Sequence, residues 1–485
     1  MQLHISYPDK VTIDGLEERW IAEWERQGVY RFDDSVPADA IFSIDTPPPT
    51  VSGSLHIGHV FSYTHTDVIA RYKRMRGFEV FYPMGFDDNG VPTERRVQNY
   101  YGVRCEPTLP YDPSLAAPEQ PFDPPKLISR RNFIELCELL TKEDEKVFEK
   151  LWRQLGLSVD WSTTYTTVGA LARKTSQRAF LDLLDKGKIY ASDAPTLWDI
   201  DYQTAVAQAE LEDRSTKGTY FRVYFPHESG IKIEIETSRP ELIAACIAIV
   251  AHPDDERYQH LFGTYAYSPL FEVPLAIHPH PLASPDKGTG IAMVSSFGDL
   301  TDVTWWRELG LPTRVIMTRA GRLSSEVSFR SETFPSRNAE AADAYYQQIA
   351  NKTSQQARKI MGDMLVEAGL LASEPKEIEH VVKYYEKGDR PLEIVASRQW
   401  YVRTLEESER LIELGRTVTW HPSYMRLRYE NWVEGLNSDW NISRQRFFGI
   451  PMPVWYHTDA EGAPLYDQPI LPDHARLPID PQSDT

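Results

Sequence analysis

Apolar and polar positions follow different rhythms along the chain, and each rhythm marks a region. Ala40–Asp45 mixes β-branched and aromatic residues over strand length, and Pro47, Pro48 and Pro49 stop it. Val60, Tyr63, Thr64, Val68, Ile69 and Tyr72 then recur at helical spacing, which predicts a helix starting near Gly58. Glu79–Tyr82 reads as a second strand. Strand, crossover helix and strand make a parallel βαβ unit, in which ligands sit beyond the carboxyl ends of the strands. Ahead of it, Asp14–Gly28 carries Leu16, Trp20, Ile21 and Trp24 on one stripe. That stripe predicts a helix laid on the first strand, with its tryptophans in the core.

Between Cys105 and Lys126 proline recurs and apolar periodicity disappears, so this stretch is read as a surface connection. Helical periodicity returns over Arg131–Leu155 and Ala170–Lys186, and residues 1–194 read as one α/β region. Near Pro195 the rhythm changes, because Thr219–Phe225, Ile231–Glu236 and Ala245–Val250 alternate or run apolar at strand length. Residues 195–340 therefore read as a β-rich insertion. In the remainder, residues 341–485, Asn338–Leu371 is helical in character, and Ile378–Arg403 and Trp420–Trp432 are rich in aromatic and charged residues.

The chemistry concentrates at the turn before the first crossover helix, Pro49-Thr-Val-Ser-Gly-Ser-Leu-His-Ile-Gly-His59. A helix start leaves backbone N–H groups unpaired and attracts phosphate. His56 and His59, three apart, could donate protons there to phosphate oxygens as charge develops. Gly53 and Gly58 permit tight backbone and close ligand approach. Read alone, one histidine caps the helix and the other packs. After the second strand, Asp87 in Gly85-Phe-Asp-Asp-Asn-Gly90 could fix an ammonium group by charge-assisted hydrogen bonds, or serve an Asp-Asn-Gly turn. Both motifs fall at strand ends and should face one pocket. Asp299 and Asp302, just before Val303–Leu309, read by themselves as acids at a helix N-terminus.

At 485 residues the chain is long enough for two or three domains. A net charge of −19 argues against broad electrostatic adhesion to nucleic acid and confines any such contact to local patches. Cys105, Cys137 and Cys246 are too scattered for a zinc knuckle and too few for a disulfide framework. No metal site is expected. The opening MQLHISYPDK has no apolar signal core, and no run approaches about 20 apolar residues, so a cytoplasmic protein with no membrane partner is expected.

The His56-Ile-Gly-His59 run resembles the HIGH signature of class I aminoacyl-tRNA synthetases, with Pro49, Gly53 and Leu55 in their usual places. The resemblance implies a Rossmann-like catalytic domain split by an editing domain. It implies that His56 and His59 stabilise the ATP phosphates, that Gly58 leaves room for adenine, and that Thr50 belongs to the same ATP site. Gly85, Asp87 and Gly90 match the element that holds the substrate amine, and Val91-Pro-Thr-Glu-Arg-Arg-Val-Gln98 resembles the valyl-tRNA synthetase family. L-valine, ATP with its accompanying Mg2+, and tRNA(Val) are the implied substrates and partners, in a monomer.

Within the β-rich region, Thr237-Ser-Arg-Pro-Glu-Leu242, Gly288-Thr-Gly290 and Gly298–Val303 resemble, in order, the editing landmarks of the valyl, isoleucyl and leucyl enzymes. The implied roles are a cradle for the terminal adenosine from Thr237, Ser238 and Arg239, and an ammonium ligand in Asp302, with Asp299 as companion. A valine pocket cannot strongly exclude threonine, a pair the handling of which rests on only about a hundredfold discrimination by binding. Hydrolysis in a second pocket, by positioned water without a protein nucleophile, supplies the rest. Asp439–Pro451 resembles the family run bordering the amino-acid pocket. There Phe448 walls the side-chain pocket, Trp440 supports it, and Pro47 and Pro48 lie opposite; core packing is the other reading for these residues. Arg426 or Arg428 could touch the tRNA acceptor end, or simply be surface charge.

No Lys-Met-Ser-Lys-Ser run occurs, and neither the anticodon-binding domain nor the coiled coil of the family is matched. The expectation is an N-terminal portion of such an enzyme, a shortened product or gene fragment with weakened activation. The alternatives are an editing-only deacylase, a class I enzyme for isoleucine, or a nucleotidyltransferase unrelated to tRNA.

Overall fold

β-Branched and aromatic residues ahead of three prolines form the short strand Ile41–Ser43, which pairs in parallel with Glu79–Phe81. The helix Ile57–Met75 joins them, giving the βαβ unit that the sequence predicts. The computed structural model describes residues 12–51, 55–386 and 388–483. Gly53, expected to permit a tight turn, and the opening MQLHISYPDK lie outside them. The chain divides into two compact units, Met1–Lys186 with Arg446–Thr485, and Gly187–Gln445.

In the first unit the chain continues into Gly85–Phe86, which pairs in parallel with Tyr165–Thr166. Glycine is required at 85, since a Cβ there would stand 2.2 Å from the Tyr165 ring. Val51, Tyr63, Val80, Tyr82 and Phe86 form a core with Phe148 and Trp152 from the helix Arg130–Gln154. The stretch from Cys105 to Lys126 is closed at its base, where Val103–Cys105 pairs with Lys126–Ile128.

The crossover helix buries a different face from the apolar one. Tyr63, Asp67 and Ala70 are buried, while Val68, Ile69 and Tyr72 are 61%, 51% and 53% exposed. Asp67 tolerates burial because its carboxylate accepts from Arg71 Nε at 2.7 Å and from the Ser158 N–H at 2.6 Å. A second correction concerns the helix Leu16–Gln27, none of whose residues is buried. Trp20 and Trp24 pack on each other and Trp24 on Tyr30, and Glu25 pairs with Arg153. The helix thus lies along the end of Arg130–Gln154, and its tryptophans are not core.

The second unit is β-rich, as the rhythm after Pro195 predicts. Leu211–Pro226 lies between Lys232–Thr237 and Lys376–Tyr385, and Ile189–Asp199 pairs along its length with Glu393–Val402. Tyr265–Tyr267, Pro274–Pro279, Cys246–Ala251 and Ile291–Ser295 make a further sheet in that order. Phe225, Ile235, Ile249, Phe271 and Ile277 fill its core. The unit is wider than 195–340, because Ile378–Arg403 holds long strands that pair back onto strands early in the unit. Asn338–Leu371 is two helices, Ala339–Ile349 and Ser354–Glu367, separated where Asn351 adopts φ 61° and Thr353 caps the second. Among the described residues no helix is long and apolar enough to cross a membrane.

Candidate active site

His56 sits at the N-cap of the Ile57–Met75 helix in extended backbone, and its Nδ1 accepts the Gly58 N–H at 3.1 Å. Its own N–H donates to Nδ1 of His59 at 3.3 Å, so the two side chains form a reciprocal capping box. With both Nδ1 atoms accepting, a neutral ring carries its proton on Nε2, the atom turned away from the cap. His59 is held below the usual imidazole value, first by burial and then by the His56 ring beside it. Gly58 has a local reason of its own: a Cβ there would stand 2.9 Å from Cε1 and Nδ1 of His56.

Thr50 and Asp87 meet in a parallel bridge that brings the end of the first strand to the end of the second. The Asp87 N–H donates to Pro49 O at 2.9 Å and the Val51 N–H to Asp87 O at 3.2 Å. Thr50 Oγ1 donates to Asp87 Oδ2 at 3.1 Å, and Thr167 Oγ1 lies 3.2 Å from Oδ1. Asp87 is thereby fixed as a half-buried carboxylate between Thr50 and Thr167. Pro47 is exposed and its carbonyl accepts from Tyr63 Oη at 2.8 Å, while Pro48 is half-buried.

Behind Asp87 lies a pair that periodicity could not reveal. Asp88 is 1% exposed, and its carboxyl lies close to that of Glu145 of the Arg130–Gln154 helix. Burial first, then Glu145 and Asp87, push Asp88 up to about 8, and burial pushes Glu145 up as well. A second missed residue is Glu94, 3% exposed, whose Oε1 accepts the Phe447 and Phe448 N–H groups at 2.8 and 3.0 Å while Arg446 pairs with Oε2. The only signal was an acid inside an otherwise helical run. Phe448 itself is 3% exposed and packs with Val97, Phe133 and Leu136, so its ring sits in a core. Gly449 next to it approaches Asn89 Nδ2, which puts this segment at the edge of the Asp87 turn. Trp440 belongs to the second unit, is 58% exposed and pairs with Val402.

In the second unit, the Thr237 side chain accepts the Arg239 N–H at 3.0 Å, making a tight turn through half-buried Ser238. Arg239 Nη1 donates to Gly298 O at 3.2 Å, so the two loops that resemble editing landmarks lie together. Asp299 is exposed and caps the helix Leu300–Glu308, accepting from the Thr301 and Asp302 N–H groups at 2.7 and 3.0 Å. Asp302 is 8% exposed and accepts the Gly298 N–H at 2.8 Å. Burial, then Asp299, holds its carboxyl well above the usual range. Arg426 and Arg428 lie on the helix Met425–Glu434, where Arg426 approaches Glu430.

Paired histidines cap the helix of a strand–turn–helix, a fixed carboxylate stands at the end of the paired strand, and comparison with known proteins gives the family. The chain belongs to the tRNA synthetases class I (I, L, M and V), whose family model matches residues 19–468. It is 59% identical over 482 residues to the valine–tRNA ligase of Salinispora arenicola (strain CNS-205), an alignment covering 99% of this chain and 55% of that protein. It is 58% identical to the valine–tRNA ligase of Thermobifida fusca (strain YX), over 98% of this chain and 54% of that one. The chain thus spans about half the length of the curated relatives it matches. Among solved structures, a ternary complex of Agrobacterium radiobacter K84 agnB2 LeuRS with tRNA and LeuAMS is 19% identical. It covers 96% of this chain and 53% of that chain at a TM-score of 0.41, a likeness too slight to carry any argument.

Proposed function

We propose that this chain is a portion of a valine–tRNA ligase that carries the amino-acid activation site and a hydrolytic editing site. What supports the first is the bridge of Asp87 to Thr50 at the strand ends, together with the paired rings of the His56–His59 cap on the helix that joins those strands. In this reading Asp87 holds the valine ammonium, and Phe448 and Pro47–Pro48 border its side chain. ATP, with its Mg2+ as part of the substrate, lays its phosphates at the helix start. A valine carboxylate oxygen attacks the α-phosphorus, the bond to pyrophosphate breaks, and valyl-adenylate forms. The two Nε2–H groups donate to phosphate oxygens as charge shifts toward the leaving group. The terminal ribose hydroxyl of tRNA(Val) then takes the valyl group and AMP leaves. The protein acts as a cytoplasmic monomer.

Valine-dependent ATP–pyrophosphate exchange tests the activation reading: exchange that falls at least tenfold in Asp87→Asn is expected, and exchange indifferent to Asp87 contradicts it.

A second reading, a deacylase for Thr-tRNA(Val), is favoured by the contact between Arg239 and Gly298, which gathers Thr237, Ser238, Asp302 and, at the loop's exposed edge, Asp299. Water attacks the ester carbonyl of mischarged tRNA and the ribose oxygen leaves, freeing threonine. Incubation with Thr-tRNA(Val) should release threonine, and Asp302→Ala should abolish release; unchanged hydrolysis in that variant removes the assignment.

A further inference from the structure

Arg239 is the centre of a balanced cluster of buried charge. Its Nε donates to Glu241 Oε1 at 3.0 Å and its Nη2 to Glu393 Oε2 at 2.7 Å. Glu241 is wholly buried, and Arg358 closes on it from the helix Ser354–Glu367 at 3.1 and 2.9 Å. The Ser354 hydroxyl, on the first residue of that helix, donates to Glu393 Oε1. Two arginines thus meet two glutamates, which offsets the desolvation of each, and Arg239 donates further to Gly298 O through Nη1 and to the Ser354 hydroxyl at 3.4 Å through Nη2. None of the partners Glu241, Arg358, Glu393 and Ser354 has a role in the reactions above.

The geometry points to Arg239 as a positioning residue for ester hydrolysis: clasped by Glu241 and Glu393, its guanidinium sets the spacing between the Thr237–Ser238 turn and the Gly298–Asp302 loop. A guanidinium suits this because its planar fork bonds in several directions at once, which an ammonium cannot do. Four of the five donors of the fork are taken by protein partners, so Arg239 serves the substrate through the loops it holds. Arg358 and Ser354 act one step further back by orienting the glutamates. The hydrolytic role rests on the deacylase reading, whereas the spacing role stands on the contacts themselves.

The test uses the whole 485-residue chain and its Glu393→Gln variant, with Ser354→Ala as a second variant should the first fail to fold. Hydrolysis of Thr-tRNA(Val) gives kcat and KM, and hydrogen exchange reads the Gly298, Thr301 and Asp302 amides. In Glu393→Gln the expected result is a tenfold or greater fall in kcat, with KM changed less than threefold. Exchange should be faster at those three amides, with the Cys246–Ala251 strand as protected as in the parent. Unchanged kcat and unchanged exchange in a folded variant overturn the proposal. If the parent itself does not hydrolyse Thr-tRNA(Val), the deacylase reading and the hydrolytic role of Arg239 fall together, and exchange alone decides whether Arg239 sets the loop spacing.

Discussion

The His59 ring accepts the His56 amide while the His56 ring accepts the amide of Gly58, and the two imidazoles lie 4.0 Å apart between centroids. The cap fixes Nδ1 as acceptor on each ring and leaves Nε2–H free of the cap, so in the proposed reading capping and phosphate binding are one arrangement.

Gly58→Ala separates this account from a simple capping role. The added methyl meets the His56 ring at 2.9 Å, so the ring must leave its cap. A loss of about 1 kcal/mol is expected in urea denaturation from the broken cap, although alanine is the better helix former, together with at least a tenfold weaker response to ATP in a titration.

Asp88 gives a pH dependence whose sign follows from its environment. Its folded-state value, about 8, lies above the unfolded carboxylate value of about 4, so the folded chain keeps a proton that the unfolded chain has released. Stability from this group is fully present below about pH 4 and declines as pH rises toward about 8, with a slope of up to about 1.4 kcal/mol per pH unit. Denaturation midpoints measured across that range should fall, and Asp88→Asn should flatten the decline.

Glu94→Ala should cost about 3 kcal/mol, because it takes the acceptor from the Phe447 and Phe448 N–H groups and removes one partner of Arg446. Glu94→Gln keeps an acceptor oxygen and should cost about 1–2 kcal/mol. Equal losses in chemical denaturation would count against the hydrogen-bonding role.

Local signals made much of this legible. Pro47–Pro49, the His-Ile-Gly-His turn and the strand at Glu79 carry their meaning within a few residues, and the βαβ unit with Asp87 at its second strand's end follows from them. The buried face of the crossover helix did not, since Asp67 is stabilised there by Ser158, 91 residues away. Spacing marks Val68, Ile69 and Tyr72 as a stripe but cannot say which stripe faces inward. The partnership of Arg239 with Glu393 and the pairing of Asp88 with Glu145 are likewise long-range, and charged residues read alone default to the surface. Ile378–Arg403 carries too little alternation to reveal two strands whose pairing partners lie far upstream.

Asp302 should make hydrolysis of Thr-tRNA(Val) depend on pH. Its carboxyl is held above the usual range by burial, and only the ionised form attracts an ammonium group. Hydrolysis should therefore increase with pH beyond the spontaneous rise of the ester, and Asp302→Asn should lose that additional increase in initial-rate measurements.

The most direct measurement is calorimetric titration of the purified chain with a non-hydrolysable valyl-adenylate analogue, its isoleucyl counterpart, and the Asp87→Asn variant. The account expects the valyl analogue to bind at least about tenfold tighter than the isoleucyl one, the order of one methylene in a closed pocket, and to lose tenfold or more in Asp87→Asn. Equal affinity for the two analogues, or binding indifferent to Asp87, would contradict it.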